Sequence, residues 1–270
     1  MGLFFNYDKA GPGVDKNAPK KKGIFLYTEL FFRKFLPLIK ANMLYFVISL
    51  PVMAVYNFII ITVLSAALPQ AMKENAWQLS LIFTSIITIL WGTGPATSGY
   101  TYILRNFARE EHAWIASDFF EKFRETFKLG ITVLICDILV LVLEIYAISV
   151  YLGLIRRGFA FAQVALLASV ILFAVYTFMH YYIYELSVTF ENGIKKTFKN
   201  ALIMGFATLP ANLFITIFIV VITFFVFGML TPFAIILLML FLWISFMRFP
   251  IDFYVARMVK RRFIDNREDK

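Results

Sequence analysis

Asp137 and Glu144 are two carboxylates inside one apolar run, seven residues apart and so near one face of a helix. A charge at mid-bilayer depth costs at least ~2.5–3.5 kcal/mol, which makes such groups candidates for solute, ion or proton traffic. They could line a polar cavity or a proton path. The competing reading is that they hydrogen-bond to neighbouring helices and hold a bundle together. His180 and Glu185, in the aromatic stretch YTFMHYYIYEL, are a second candidate pair, for a titratable gate or a sugar-stacking patch. Against that stands the belt that Tyr and Trp form at any membrane interface.

The stretch WGTGPATSG, Trp91–Gly99, is the other local feature that could do chemistry. Pro95 removes a helical hydrogen bond, and Gly94 and Gly99 admit close backbone approach. A helix broken here would resemble the discontinuous helices of many transporter sites. Small residues four apart would equally serve helix packing. Pro51 and Pro210 could kink their own helices in the same way.

Signals for enzymatic chemistry are poor. The two histidines, His112 and His180, belong to no HExxH pattern, and no GxSxG or phosphate loop occurs. The single cysteine, Cys136, excludes an internal disulfide and a multi-thiolate metal site. No catalytic residue, metal ligand or cofactor site is expected, and a membrane-embedded hydrolase is the weakest of the readings.

The elements that must position these residues are transmembrane helices. Apolar residues make up 61% of the chain and charged residues 16%, where a soluble chain carries about 25% charged. A spanning helix needs about 20 apolar residues. Six such spans are expected, at approximately 43–67, 79–103, 129–154, 159–184, 205–229 and 232–255, in an all-α bundle of three hairpins. Residues 21–255 then form one transmembrane domain, between a mobile tail over 1–20 and a basic tail over 256–270. The start of the chain carries Asp and Lys without an apolar core, so no cleavable signal peptide is expected.

Charge decides the orientation. Of 26 Lys and Arg residues, all but Lys73, Arg156 and Arg157 fall on one side of these spans. The positive-inside rule then places both termini in the cytoplasm of a cell membrane. The same segregation argues against nucleic acid as the partner and for anionic lipid head groups. A short amphipathic segment precedes each odd-numbered span: YTELFFRKFLPLIK, DFFEKFRETFK and ENGIKKTFKNAL. Their apolar residues recur every three or four positions, as in helices lying in the interface. FxKFxxxxK occurs at Phe32 and Phe120, and TFK at Thr126 and Thr197, so a threefold internal repeat stands beside the reading that any basic-aromatic helix looks like this. The first cytoplasmic loop gathers Arg105, Arg109, Glu110, Glu111 and His112, with Trp114 and Phe119 as apolar anchors. Together they are a candidate docking surface.

The string GPATSGYTYILRNFAREEHAWIASDFFEKF, Gly94–Phe123, closely resembles the signature of the YesL family of bacterial membrane proteins, a domain of unknown function. ELFFRKFLPLIKANMLYFVISLP, YYIYELSVTFENGIKKTFKNALIMG and the FMRFP motif at Phe246–Pro250 agree with it, as does the tail GPGVDKNAPKKKG. Genes of that family typically neighbour carbohydrate permeases and sugar-responsive regulators. The resemblance therefore implies an accessory or regulatory part in carbohydrate uptake, with a permease as a potential partner and no catalytic residue to carry over. The rival expectation is a small solute or ion transporter using Asp137, Glu144 and the Gly94–Gly99 break as its path. It requires Asp137, Glu144 and Asn57, with Asn212 as an optional fourth, to face one water-reaching cavity.

Overall fold

The computed structural model describes residues 22–191 and 193–261. The expected tail over 1–20 and residues 262–270 of the basic tail lie outside them. Among the described residues there is helix and no strand. The helices are α1 (Gly23–Arg33), α2 (Phe35–Ala67), α3 (Ala76–Leu90), α4 (Pro95–Ala108), α5 (Ile115–Glu125) and α6 (Phe127–Arg156). They continue as α7 (Phe161–Thr189), α8 (Ile194–Ala207), α9 (Leu209–Gly228), α10 (Pro232–Leu238) and α11 (Ile244–Val259).

Five of the helical segments are long and apolar enough to cross a membrane: α2, α6, α7, α9 and the continuous run Pro232–Val259. A sixth exists if α3 and α4 are one broken span. By length and composition this is a multi-pass membrane protein.

Three short helices, α1, α5 and α8, each run into a long one through a single non-helical residue. Lys34, Thr126 and Thr208 sit at φ/ψ of −102/13°, −99/13° and −123/23°. At two of the breaks a threonine bonds back to its own helix: the hydroxyls of Thr126 and Thr208 donate to the carbonyls of Lys122 and Met204, four residues back. Pro210 falls in the first turn of α9, where its missing N–H costs nothing. Pro51 lies inside α2 without ending it.

The repeated strings do not follow this repetition. Thr126 is a break residue, whereas Thr197 lies inside α8, well before the break at Thr208. Likewise Phe32 precedes its break by two residues and Phe120 by six. The common backbone form therefore does not track the shared strings.

The stretch expected as a second span over 79–103 is divided within Trp91–Gly99, where a broken helix is one of the two readings of the sequence. It bends by 63° between α3 and α4. Gly92 and Gly94 take φ of +93° and +74°, and Pro95 opens α4.

The short helices, with the ends of α4, α7 and α11, gather at one end of the bundle. Tyr27 of α1 packs on Phe249 and Phe253 of α11, and Arg33 pairs with Glu110 beyond α4. Burial pushes the Tyr27 phenol up to about 12, so it anchors α1 as a neutral group.

Tyrosines dominate the interior: Tyr45, Tyr56, Tyr100, Tyr181, Tyr182 and Tyr184 are all fully buried. A π-helical turn over Met239–Trp243 loosens the last span, and Asn42 of α2 satisfies it. The Asn42 amide donates to the carbonyls of Met239 and Leu240 at 2.7 Å, and its oxygen accepts from the Ser245 N–H at 2.7 Å.

Candidate functional site

The break between α3 and α4 is the centre of the polar interior. Unpaired backbone groups at membrane depth are tolerated only where protein satisfies them. Here the N–H of Thr93 donates to Thr97 Oγ1 at 2.6 Å, and Tyr56 donates to the Gly92 carbonyl at 3.3 Å. Thr93 Oγ1 also bonds Tyr45 and Ser49, at 3.0 and 2.7 Å. The Ile89 carbonyl, in the last turn of α3, accepts from Arg248 Nη1 at 2.7 Å.

The glycines let this segment sit against its neighbours. A Cβ on Gly130 of α6 would lie 2.5 Å from Pro95 N, and one on Gly99 would lie 2.4 Å from the Phe119 carbonyl oxygen. Gly94, Pro95 and Gly99 thus sit in a part of the molecule where backbone meets backbone.

Beside the break lies an acid–base pair. His180 Nε2 is 2.7 Å from Asp137 Oδ1, and Tyr176 donates to the same oxygen at 2.7 Å. His180 Nδ1 faces the Tyr176 carbonyl at 2.9 Å, and Trp91 stacks on the imidazole with centroids 5.5 Å apart. Both ring nitrogens therefore face acceptor oxygens. Asp137 and His180 are both fully buried. Asp137 Oδ2 has no hydrogen-bond partner among the described residues.

Glu185 is separate from this pair. It accepts from Arg109 Nη2 at 2.7 Å and from Thr189 at 3.3 Å. Arg105 donates to the Val188 carbonyl at 2.8 Å and to Asn106 Oδ1 at 3.0 Å. Glu185 thus ties the end of α7 to the end of α4.

Glu144 does not join Asp137, although both are on nearly the same face of α6. The buried residues of α6 run from Leu129 to Leu141, and beyond them the helix leaves the bundle. Ser169 of α7 donates to Glu144 at 3.3 Å. Asn57 bonds Ser80 and Thr84, while Asn212 bonds Tyr182, Thr208 and the Gly205 carbonyl. The four residues that a transport path required to converge lie in four separate networks.

The expected docking surface divides. Arg105 and Arg109 turn inward and are almost wholly buried. Phe119, the second expected anchor, is fully buried. Glu110, Glu111, His112 and Trp114 remain outside, with Trp114 69% exposed. This loop is held in shape. Glu110 takes φ of +64° and pairs with Arg33 at 3.0 Å, and the Glu111 N–H donates to the Asn106 carbonyl at 2.8 Å. The Asp118 carboxylate accepts from the Trp114 N–H at 2.8 Å, and His112 packs edge-on against the Trp114 ring.

Sequence reasoning misses the pair Arg248–Asp252, both buried in α11 with Nε and Oδ2 3.3 Å apart. The charge count assigns Arg248 to the cytoplasmic side, although the expected span 232–255 contains it. The signal is present: a cation and an anion four residues apart inside an apolar segment form a helical ion pair. Asn42 and Tyr176 carry no such signal, because a lone Asn or Tyr in a span is ordinary until its partner is known.

Residues 71–147 match a family model described as "Protein of unknown function, DUF624". That stretch covers α3, the break, α4, α5 and α6 through Asp137 and Glu144. The match is consistent with the resemblance to the YesL family, without naming it. No curated protein matches the chain, and no solved structure does.

Among the described residues no three His, Cys, Asp or Glu side chains converge on a point where a metal ion would sit. Between α2, α3, α6, α7 and α9 lies an open groove of about 490 Å³, with Ile60, Phe83, Leu141, Phe173 and Phe224 among its apolar walls. It suits acyl chains and offers nothing to a hydrophilic solute.

Proposed function

We propose that this protein is a non-catalytic accessory or regulatory component of a membrane assembly for carbohydrate uptake. In this reading it crosses the bacterial cell membrane six times in three hairpins, with both termini cytoplasmic, and acts through the ordered loop over residues 110–114. The observation that carries it is the division of polarity. The buried ionisable groups pair with one another inside the bundle, as Arg109–Glu185, His180–Asp137 and Arg248–Asp252, while His112 and Trp114 stand exposed on a fixed turn. An exposed Trp on an ordered loop is the kind of group that anchors a protein partner. The segregation of Lys and Arg supports the orientation. The link to carbohydrate uptake is supported by the family resemblance, and the permease as partner with it.

The transport reading loses ground through Glu144, Asn57 and Asn212, which bond into networks apart from Asp137.

The test is crosslinking in native membranes, then affinity purification, from cells grown on several plant-type sugars. The expected result is recovery of a permease or its regulator, reduced at least about tenfold by His112→Ala with Trp114→Ala, as for loss of a central anchor. The same recovery from the variant would remove the loop from the interface. Recovery of the protein alone under every condition would remove the accessory reading.

A further inference from the structure

The end of α11 and the residues just after it border an open cavity of about 370 Å³ against the start of α1, lined by Gly23, Phe253, Tyr254, Arg257, Met258 and Arg261. Arg257 and Arg261 are one helical turn apart and so share a face. Arg257 lies over the Phe253 ring at 5.3 Å, which holds its guanidinium in place. Its Nη1 is buried and has no acceptor among the described residues. No carboxylate among the described residues lines the cavity. The carboxylate whose charge reaches Arg257 is Glu110, and Arg33 holds that at 3.0 Å.

Among the described residues, these two arginines beside a largely apolar cavity, one with an unpartnered guanidinium nitrogen, face no anion. We propose that this cavity binds the phosphate of an anionic phospholipid. The planar guanidinium fork matches phosphate oxygens, and the charge-assisted bonds would satisfy Arg257 Nη1. The position selects a lipid over a free anion. The cavity lies at the end of the candidate span Pro232–Val259, the height at which head groups sit. Beside it, α1 presents Ile24 and Phe25, 66% and 72% exposed, as a surface for an acyl chain. A Cβ built on Gly23 would meet no atom of the described residues within 4 Å.

The experiment is native mass spectrometry of the full-length protein in detergent, titrated with phosphatidylglycerol, phosphatidylcholine or inorganic phosphate. The expected result is retained phosphatidylglycerol, weaker phosphatidylcholine, and at least about tenfold weaker phosphatidylglycerol binding in Arg257→Gln/Arg261→Gln. Arg156→Gln/Arg157→Gln, at the opposite end, should bind as the parent does. Met258→Trp fills the cavity with both arginines kept and should lose binding too, which covers the case in which the double variant fails to fold. Equal binding by the parent and both cavity variants would overturn the proposal. Binding of inorganic phosphate without retention of lipid would assign the cavity to a free anion and overturn the lipid.

Discussion

Arg248→Ala should destabilise the protein by about 3–5 kcal/mol, the usual cost of stripping one partner from a buried ion pair. Arg248 is 1% exposed and Asp252 is fully buried. The truncation leaves the Asp252 carboxylate without its cation. It also removes the 2.7 Å bond to the Ile89 carbonyl, beside the point where α3 breaks. Both losses fall on the same junction, so the helical break and the last span should loosen together. The double substitution Arg248→Met/Asp252→Leu should recover much of the loss, because an apolar pair of similar volume removes both charges at once. Thermal unfolding of the detergent-purified variants, followed by size-exclusion profile, would check this. A double variant as unstable as the single would mean that the bond to α3, and not the ion pair, carries the effect. A parent-like Arg248→Ala would contradict the buried pair altogether.

The second large effect is expected at Gly99 and Gly130. A methyl at either position meets backbone atoms of the neighbouring element at 2.4–2.5 Å, and backbone cannot rotate away as a side chain can. Overpacking of this kind costs about 1–3 kcal/mol for alanine, and leucine should prevent the bundle from closing. Gly153 and Gly228 provide the control, since nothing lies within 4 Å of a Cβ there. Alanine at Gly153, inside α6, should be neutral or stabilising by up to about 1 kcal/mol. The contrast separates close approach from a general intolerance of change at glycine. It can be read from the same unfolding measurement.

Legibility in the residues differs by level. The long helices are legible, because some 20 apolar residues in sequence have few alternatives. The short helices are too, since the four-residue spacing of Phe119 and Phe123, or of Ile194 and Phe198, marks one side of a helix by itself. Their breaks at Thr126 and Thr208 are not, because a Thr that bonds back to its own helix has the same sequence as one that does not.

In the candidate site, Asp137 and His180 are each visible as costly polar groups, but their pairing is not. It depends on the rotation of α6 against α7, which the apolar residues all around both helices leave open. The seven-residue spacing of Asp137 and Glu144 does place them on a shared face. The inference that they therefore work together fails because α6 outgrows the bundle after Leu141. Arg105 and Arg109 read as surface residues because they flank a span. A flanking arginine can fold back into the bundle when a neighbouring helix end offers Glu185 and the Val188 carbonyl.

The measurement that bears most directly on the closed interior and the exposed loop is cysteine labelling in oriented membrane vesicles. In a Cys136→Ser background, a single cysteine would be placed at Thr93, beside the break, or at His112, in the loop. A charged, membrane-impermeant maleimide would then be added to either face. The expected result is rapid labelling at 112 from the cytoplasmic face alone, and no labelling at 93 from either face. Labelling at 93 would show that water reaches the broken helix, which would contradict an interior closed to water and restore the transport reading.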